Sequence, residues 1–231
     1  MYSINVKAYA KINLGLEVLY KRQDGYHELN TIFICIDLFD ELIIEKDDKL
    51  SIHCQPELNI AMQDNLVWKA AKRLQNYYRC NHFGAKIKLI KNIPTGAGLG
   101  GGSSDAASTL IALSKLWNLP STNSELIDIA SEIGSDIPYF INKGIALAKG
   151  RGEILIPFNA SLNYYVLIVY PNIQISTKWA YSSLDVNTNS KQATNYIEIM
   201  NDSNFNLKIL NQNFINDFEK TVFNKYPEIK K

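Results

Sequence analysis

Between Pro94 and Ala106 the chain reads Pro-Thr-Gly-Ala-Gly-Leu-Gly-Gly-Gly-Ser-Ser-Asp-Ala, with five glycines in the seven positions from Gly96 to Gly102. Each glycine removes a β-carbon that would hold a ligand away from the backbone. The run lies between an alternating segment (Ala85, Ile87, Leu89) and a helical stretch from Ala106 to Trp117, which makes it the loop of a strand–loop–helix unit. Ser103, Ser104 and Asp105 are helix-start residues and are expected to cap that helix. Open amides at a helix N-terminus, with the positive end of its dipole, form an anion site, and a phosphate suits it best.

Two common phosphate loops do not fit. Gly96, Gly98 and Gly101 spell G-x-G-x-x-G, but a dinucleotide fold needs a strand with an acidic end after the following helix. Here the corresponding region, Ser121 to Ser131, reads as another helix. A Walker loop is excluded because no Gly-Lys-Ser/Thr closes the run.

A net charge of +1 over 231 residues gives no broad basic field for nucleic acid. Cys35, Cys54 and Cys80 are odd in number and never in C-x-x-C, which argues against a disulfide framework and against zinc. The N-terminus lacks a signal pattern, and the longest apolar runs, Thr31 to Ile36 and Tyr164 to Tyr170, are strand-length. The expectation is a cytoplasmic protein with no nucleic-acid or membrane partner.

The first half is rich in strands. Ala8, Ala10, Ile12, Leu14, Leu16 and Val18 alternate with polar positions, which predicts a strand with one apolar face. Further strands are expected over 29–36, 41–45 and 83–90, with a helix from Asp64-Asn65 capped by Asp64. A helix over 124–133 stops at Gly134, and a hairpin turns around Lys149-Gly150-Arg151-Gly152. Beyond it come an apolar strand from Tyr164 to Tyr170, helical pieces from Thr177, a polar stretch over 185–195 that is a loop or a helix boundary, and a final helix-like segment over 214–231. The fold class is α+β with two domains: a mixed α/β domain over 1–158 and a smaller, more helical one over 159–231.

The glycine run resembles the second motif of the GHMP kinase family. Three further blocks, Ala10-Lys11-Ile12-Asn13-Leu14, Asp24-Gly25-Tyr26-His27-Glu28-Leu29 and Gly134-Ser135-Asp136-Ile137-Pro138, are similar to the branch that phosphorylates a cytidine-diphosphate-linked methylerythritol. The resemblance implies the two-domain GHMP fold, with 1–158 as the ATP-binding domain. It also implies ATP and Mg²⁺ as cofactors, and ATP-dependent phosphorylation of the 2-hydroxyl of that small-molecule substrate in non-mevalonate isoprenoid synthesis. The alternatives are another small-molecule kinase of the family, of homoserine or mevalonate type, or a degenerate nucleotide-binding protein without turnover.

Roles follow by the same resemblance. Lys11 stabilises the reacting oxygen and polarises Asp136, the base, although a strand lysine and an Asp in a turn are ordinarily unremarkable. Pro94, Thr95, Gly96, Ala97, Gly98, Leu99, Gly100, Gly101, Gly102, Ser103 and Ser104 surround the nucleotide phosphates, and Asn65 and Lys91 lie on the adenine side. Asn13, Tyr26, His27 and Tyr181 take the substrate, with His27 bonding the cytosine and Tyr181 stacking on it. No residue is assigned as a metal ligand. The family carries a third glycine-rich loop, yet Gly152 is the last glycine of the sequence. Either a truncated C-terminal domain or a degenerate member is expected, and the sequence is silent on oligomeric state.

Overall fold

The structure is a computed structural model describing residues 3–160, 162–184 and 191–230. The chain divides into two compact units, one of residues 1–11 and 35–143 and the other of residues 12–34 and 144–231. Strands β1 (Ser3–Lys21) and β2 (His27–Asp47) pair with each other and contribute residues to both units.

In the first unit, β4 (Gly84–Ile90) runs antiparallel to the C-terminal half of β2 and parallel to β3 (Leu50–Gln55). Four helices complete this unit: α1 (Leu66–Tyr77), α2 (Gly101–Leu116), α3 (Asn123–Ile133) and α4 (Ile137–Asn142). Helix α2 packs against both α1 and α4 and buries Ala106, Leu110 and Leu113 completely. Each such leucine contributes about 1.5–3 kcal/mol by leaving water, so Leu110→Ala would loosen the seat of the glycine loop.

In the second unit, β5 (Ile145–Gly150) lies antiparallel to the N-terminal half of β2, and β6 (Ile154–Pro157) closes the expected hairpin. Short helices follow: α5 (Thr177–Ser182), α6 (Tyr196–Asn201), α7 (Leu207–Asn213), α8 (Phe218–Lys225) and α9 (Pro227–Lys230). Tyr196 and Met200 of α6 pack with Ile32 and Leu147, while Tyr181 and Phe218 pack on Leu16, Val18 and Leu29.

Several local expectations are corrected. The alternation of β1 does not give one wet face, because Lys11 and Glu17, both on its polar register, are buried. Glu17 is held by Asn30, by the Thr194 amide at 2.9 Å and by the Thr194 hydroxyl at 2.8 Å, bonds that offset its desolvation. Asn65, not Asp64, caps α1, because its extended backbone lets the side chain accept from Val67 N while Asp64 closes the preceding 3₁₀ turn. Strand β3 was missed because Leu50, Ile52 and Cys54 form only a short half-buried alternation.

Residues 164–170 form no strand. Tyr165, Leu167 and Val169 are exposed, since β-propensity is realised only beside a hydrogen-bonding partner strand. The segment over 214–231 is not one helix. Asn216 bridges to Leu16 of β1, and Pro227, which lacks an amide, separates α8 from α9. Of the loop or helix boundary expected over 185–195, residues 185–190 lie outside the described residues, and 191–195 are irregular and end in Asn195, the N-cap of α6. Among the described residues no helix is long and apolar enough to cross a membrane.

Candidate active site

The glycine loop in the first unit is fixed to β1 by its backbone: the Lys11 amide donates to Leu99 O at 2.9 Å. Gly100 follows with φ 70°, where a β-carbon would lie 2.7 Å from the Phe140 ring and 3.1 Å from Lys11 Cγ. Only glycine fits both that left-handed backbone and that space. Loop, β1 and α4 therefore meet at one residue.

Helix α2 begins five residues earlier than expected, at Gly101, with Gly100 as its N-cap. Ser103, Ser104 and Asp105 thus lie inside the first turns and do not cap the helix; Ser104 N already bonds Gly100 O at 2.9 Å. Glycine has no side chain with which to cap, so the leading amides of α2 are left for a ligand's oxygens. The Ser104 hydroxyl is buried and has no hydrogen-bond partner among the described residues. A β-carbon added at Gly98 would meet open space, so the loop is exposed where an anion would approach.

Asp136 stands at the N-cap position of α4 but makes no side-chain capping bond. Instead its charge acts on Lys11. Burial pushes the Lys11 ammonium below the ordinary lysine pKa, and Asp136 opposes that push. The structure thus places the Lys11 ammonium within electrostatic reach of the Asp136 carboxylate, on the residue whose amide also binds the glycine loop.

The two residues expected on the adenine side have engaged side chains. Asn65 Oδ1 accepts from Val67 N at 2.9 Å and its amide group donates to Cys54 Sγ. Lys91 Nζ is buried between Asp40 and Asp105. Sequence reasoning missed Asp40 and read Asp105 only as a capping residue. Asp40 carries no local pattern, and only the fold brings it to Lys91.

The residues expected on the substrate side all fall in the second unit. His27 and Tyr181 stack with ring centroids 5.1 Å apart and planes at 16°, and Phe218 meets Tyr181 edge-on at 4.9 Å. Burial and then the Lys21 charge hold His27 below the ordinary histidine pKa, so its ring is neutral at pH 7. Tyr26 is exposed, and the Arg151 guanidinium, read from sequence only as a turn residue, covers its ring at 4.7 Å. Glu28 Oε1 accepts from Gly150 N at 2.9 Å, tying that turn to the Asp-Gly-Tyr-His segment. Asn13 donates to Thr31 Oγ1 at 2.9 Å, and Thr31 in turn donates to Gly15 O at 2.6 Å.

Residues 65–144 match the model of the GHMP kinases N terminal domain. The chain is 43% identical over 235 residues to the 4-diphosphocytidyl-2-C-methyl-D-erythritol kinase of Thermodesulfovibrio yellowstonii, covering 99% of this chain and 80% of that protein. It is 44% identical to the enzyme of the same name from Chlorobium phaeobacteroides, covering 100% of this chain and 81% of that protein. A solved 4-(cytidine 5'-diphospho)-2C-methyl-D-erythritol kinase superposes with a TM-score of 0.78 at 31% identity, over 98% of this chain and 80% of that one. With the glycine loop, the Lys11–Asp136 pair and these likenesses together, the chain belongs to the 4-diphosphocytidyl-2-C-methyl-D-erythritol kinase family of GHMP kinases.

Proposed function

We propose that this chain transfers the γ-phosphoryl group of ATP to the 2-hydroxyl of 4-diphosphocytidyl-2-C-methyl-D-erythritol, with Lys11 and Asp136 at the reacting oxygen. The observation that carries this reading is that Lys11 joins both halves of the chemistry. Its amide holds the glycine loop at Leu99, and its ammonium feels the charge of Asp136.

The loop suits a nucleotide polyphosphate. The leading amides of α2, the unpartnered Ser104 hydroxyl and the open face at Gly98 supply donors and close backbone approach for its oxygens. The residues from Pro94 to Ser104 form that cradle. Asn65 and Lys91 border it, with Asn65 Oδ1 engaged by the Val67 amide and Lys91 Nζ held by Asp40 and Asp105. Among the described residues no group of three or more His, Cys, Asp or Glu is placed to hold a metal ion. Mg²⁺ bound to the phosphates would neutralise charge on the transferring group, held mostly by nucleotide oxygens and water.

Asp136 accepts the proton of the 2-hydroxyl as its oxygen bonds to phosphorus and the bond to the leaving diphosphate breaks. Lys11 stabilises the negative charge that develops on that oxygen. Its burial strengthens this attraction, because little water screens it. Tyr26, His27 and Tyr181 take the cytosine, with neutral His27 able both to donate and to accept, and Asn13 orients the erythritol end.

The test is a product assay with Mg-ATP and, separately, 4-diphosphocytidyl-2-C-methyl-D-erythritol, homoserine and mevalonate. Phosphorylation of the cytidylyl substrate alone is expected. Turnover of homoserine or mevalonate instead would reject the substrate, and ATP binding without turnover would leave a nucleotide-binding protein.

A further inference from the structure

Beneath the glycine loop lies a buried group of charges that the chemistry above does not use. Lys91 Nζ contacts Asp40 Oδ2 and lies 2.7 Å from Asp105 Oδ2. The three residues come from separate places in the chain: Asp40 from β2, Lys91 from the end of β4, and Asp105 from the second turn of α2. Asp40 Oδ1 also accepts from the amides of Asn92 at 2.5 Å and Ile93 at 2.8 Å. Asp40 thus fixes the entry to the loop, Asp105 fixes its exit, and Lys91 ties the two together. The fit above them is tight. A β-carbon at Gly101 would lie 2.9 Å from Ile93 Cγ2 and 3.2 Å from Lys91 Nζ.

The charges do not balance. Two carboxylates share one ammonium, and a buried excess charge is costly. Asp40 and Asp105 are 0% and 2% exposed, and Asp105 Oδ1 has no hydrogen-bond partner among the described residues. That oxygen is the natural place for a proton. The charges acting on Asp105 are those of Lys91 and Asp40, and the Cys54 thiol on β3 senses both Asp105 and Lys91. Burial pushes Asp105 up to about 7, with Lys91 pulling it down and Asp40 adding to the rise. For Lys91, burial works against the charge, but the two carboxylates outweigh it and hold its pKa above the ordinary value. The polyphosphate site begins at the leading amides of the same helix, so a nucleotide adds negative charge close to an already over-acidic group.

We propose that Asp40, Lys91 and Asp105 are positioning residues that set the phosphate loop for ATP, and that loading the loop draws a proton from solvent onto Asp105. The inference rests on the loop's being the nucleotide site. It adds that nucleotide affinity is linked to pH through a residue that touches neither substrate. Sign follows from linkage: a ligand that raises the pKa of Asp105 binds with proton uptake, and binds more tightly as pH falls. The uptake vanishes near pH 5, where Asp105 is protonated with or without nucleotide, and peaks above pH 7, midway between the free and loaded pKa values of Asp105.

The test is calorimetry of the full chain with Mg²⁺ and the non-hydrolysable β,γ-imido analogue of ATP at pH 7, in buffers of different ionisation enthalpy. Wild type is expected to take up about half a proton more than Asp105→Asn, because a group with pKa near 7 starts half protonated. The nucleotide's own protons cancel in that difference. Asp40→Asn is the second variant. It leaves Lys91 and Asp105 as a balanced pair, so the extra uptake should disappear there too, and affinity should fall about tenfold as the loop entry loosens, ~1.4 kcal/mol. Equal uptake by wild type and either folded variant would overturn the inference while leaving the kinase reading intact. Failure of wild type to bind the analogue would overturn both.

Discussion

The Lys11 amide and the Leu99 carbonyl are hydrogen-bonded at 2.9 Å, so the strand that carries the buried ammonium also holds the glycine loop in place. Backbone and side chain of Lys11 can therefore be separated by mutation. Lys11→Met keeps the amide and removes the charge. It should lower kcat by about 10²–10³, the scale of losing one electrostatic stabiliser of a transition state. Affinity for an ATP analogue should stay within a few-fold of wild type. Steady-state kinetics and calorimetry on the same preparation check both.

Gly100→Ala tests the junction of loop, β1 and α4. The new methyl would sit 2.7 Å from the Phe140 ring at φ 70°, so the loop or the ring must move. Strain and overpacking of this kind each cost about 1–3 kcal/mol. A lower melting temperature and a raised KM for ATP are expected, with KM for the cytidylyl substrate little changed.

The stacked His27–Tyr181 pair predicts the opposite split. Tyr181→Ala and His27→Ala should each raise KM for the cytidylyl substrate about 10–100-fold, the cost of one lost aromatic or hydrogen-bonding contact. KM for ATP should be unchanged. Because burial and Lys21 hold His27 below its ordinary pKa of 6.5, its neutral form persists at that pH. Substrate affinity should be flat from pH 8 to about 6.5 and weaken at lower pH as the ring gains a proton. A titration of KM against pH reads this directly.

Glu17 ties Lys191 and Thr194 to β1. Burial pushes its pKa up, but bonds from Asn30 and Thr194 and the charge of Lys191 outweigh that, and the pKa lies below the ordinary value of 4.5. A lowered carboxylate pKa stabilises the fold above its unfolded value, and that contribution is lost as pH falls through the folded value. Glu17→Gln should cost about 1–3 kcal/mol at pH 7, measured by urea unfolding. The gap between variant and wild type should close below pH 4.5.

Elements with strong local signals were legible in the sequence. Helix α3 covers the stretch expected over 124–133 and ends at Gly134, and Gly150 and Gly152 turn the β5–β6 hairpin. The four blocks around Lys11, Tyr26, Gly100 and Asp136 were legible for the same reason, since each is short and contiguous. What failed was decided by partners distant in sequence. Tyr164 to Tyr170 has strand composition but no partner strand among the described residues, and Lys11 and Glu17 look solvent-facing until the fold covers them. Asp40 and Asp105 gain meaning only when Lys91 comes between them.

The most direct test of the central claim is single-turnover phosphoryl transfer by Asp136→Asn with saturating Mg-ATP and 4-diphosphocytidyl-2-C-methyl-D-erythritol. Asparagine keeps the shape of the side chain and cannot take the hydroxyl proton. The prediction is a rate lower by about 10²–10⁴, as for loss of a general base, with ATP binding retained. A rate equal to wild type would contradict it.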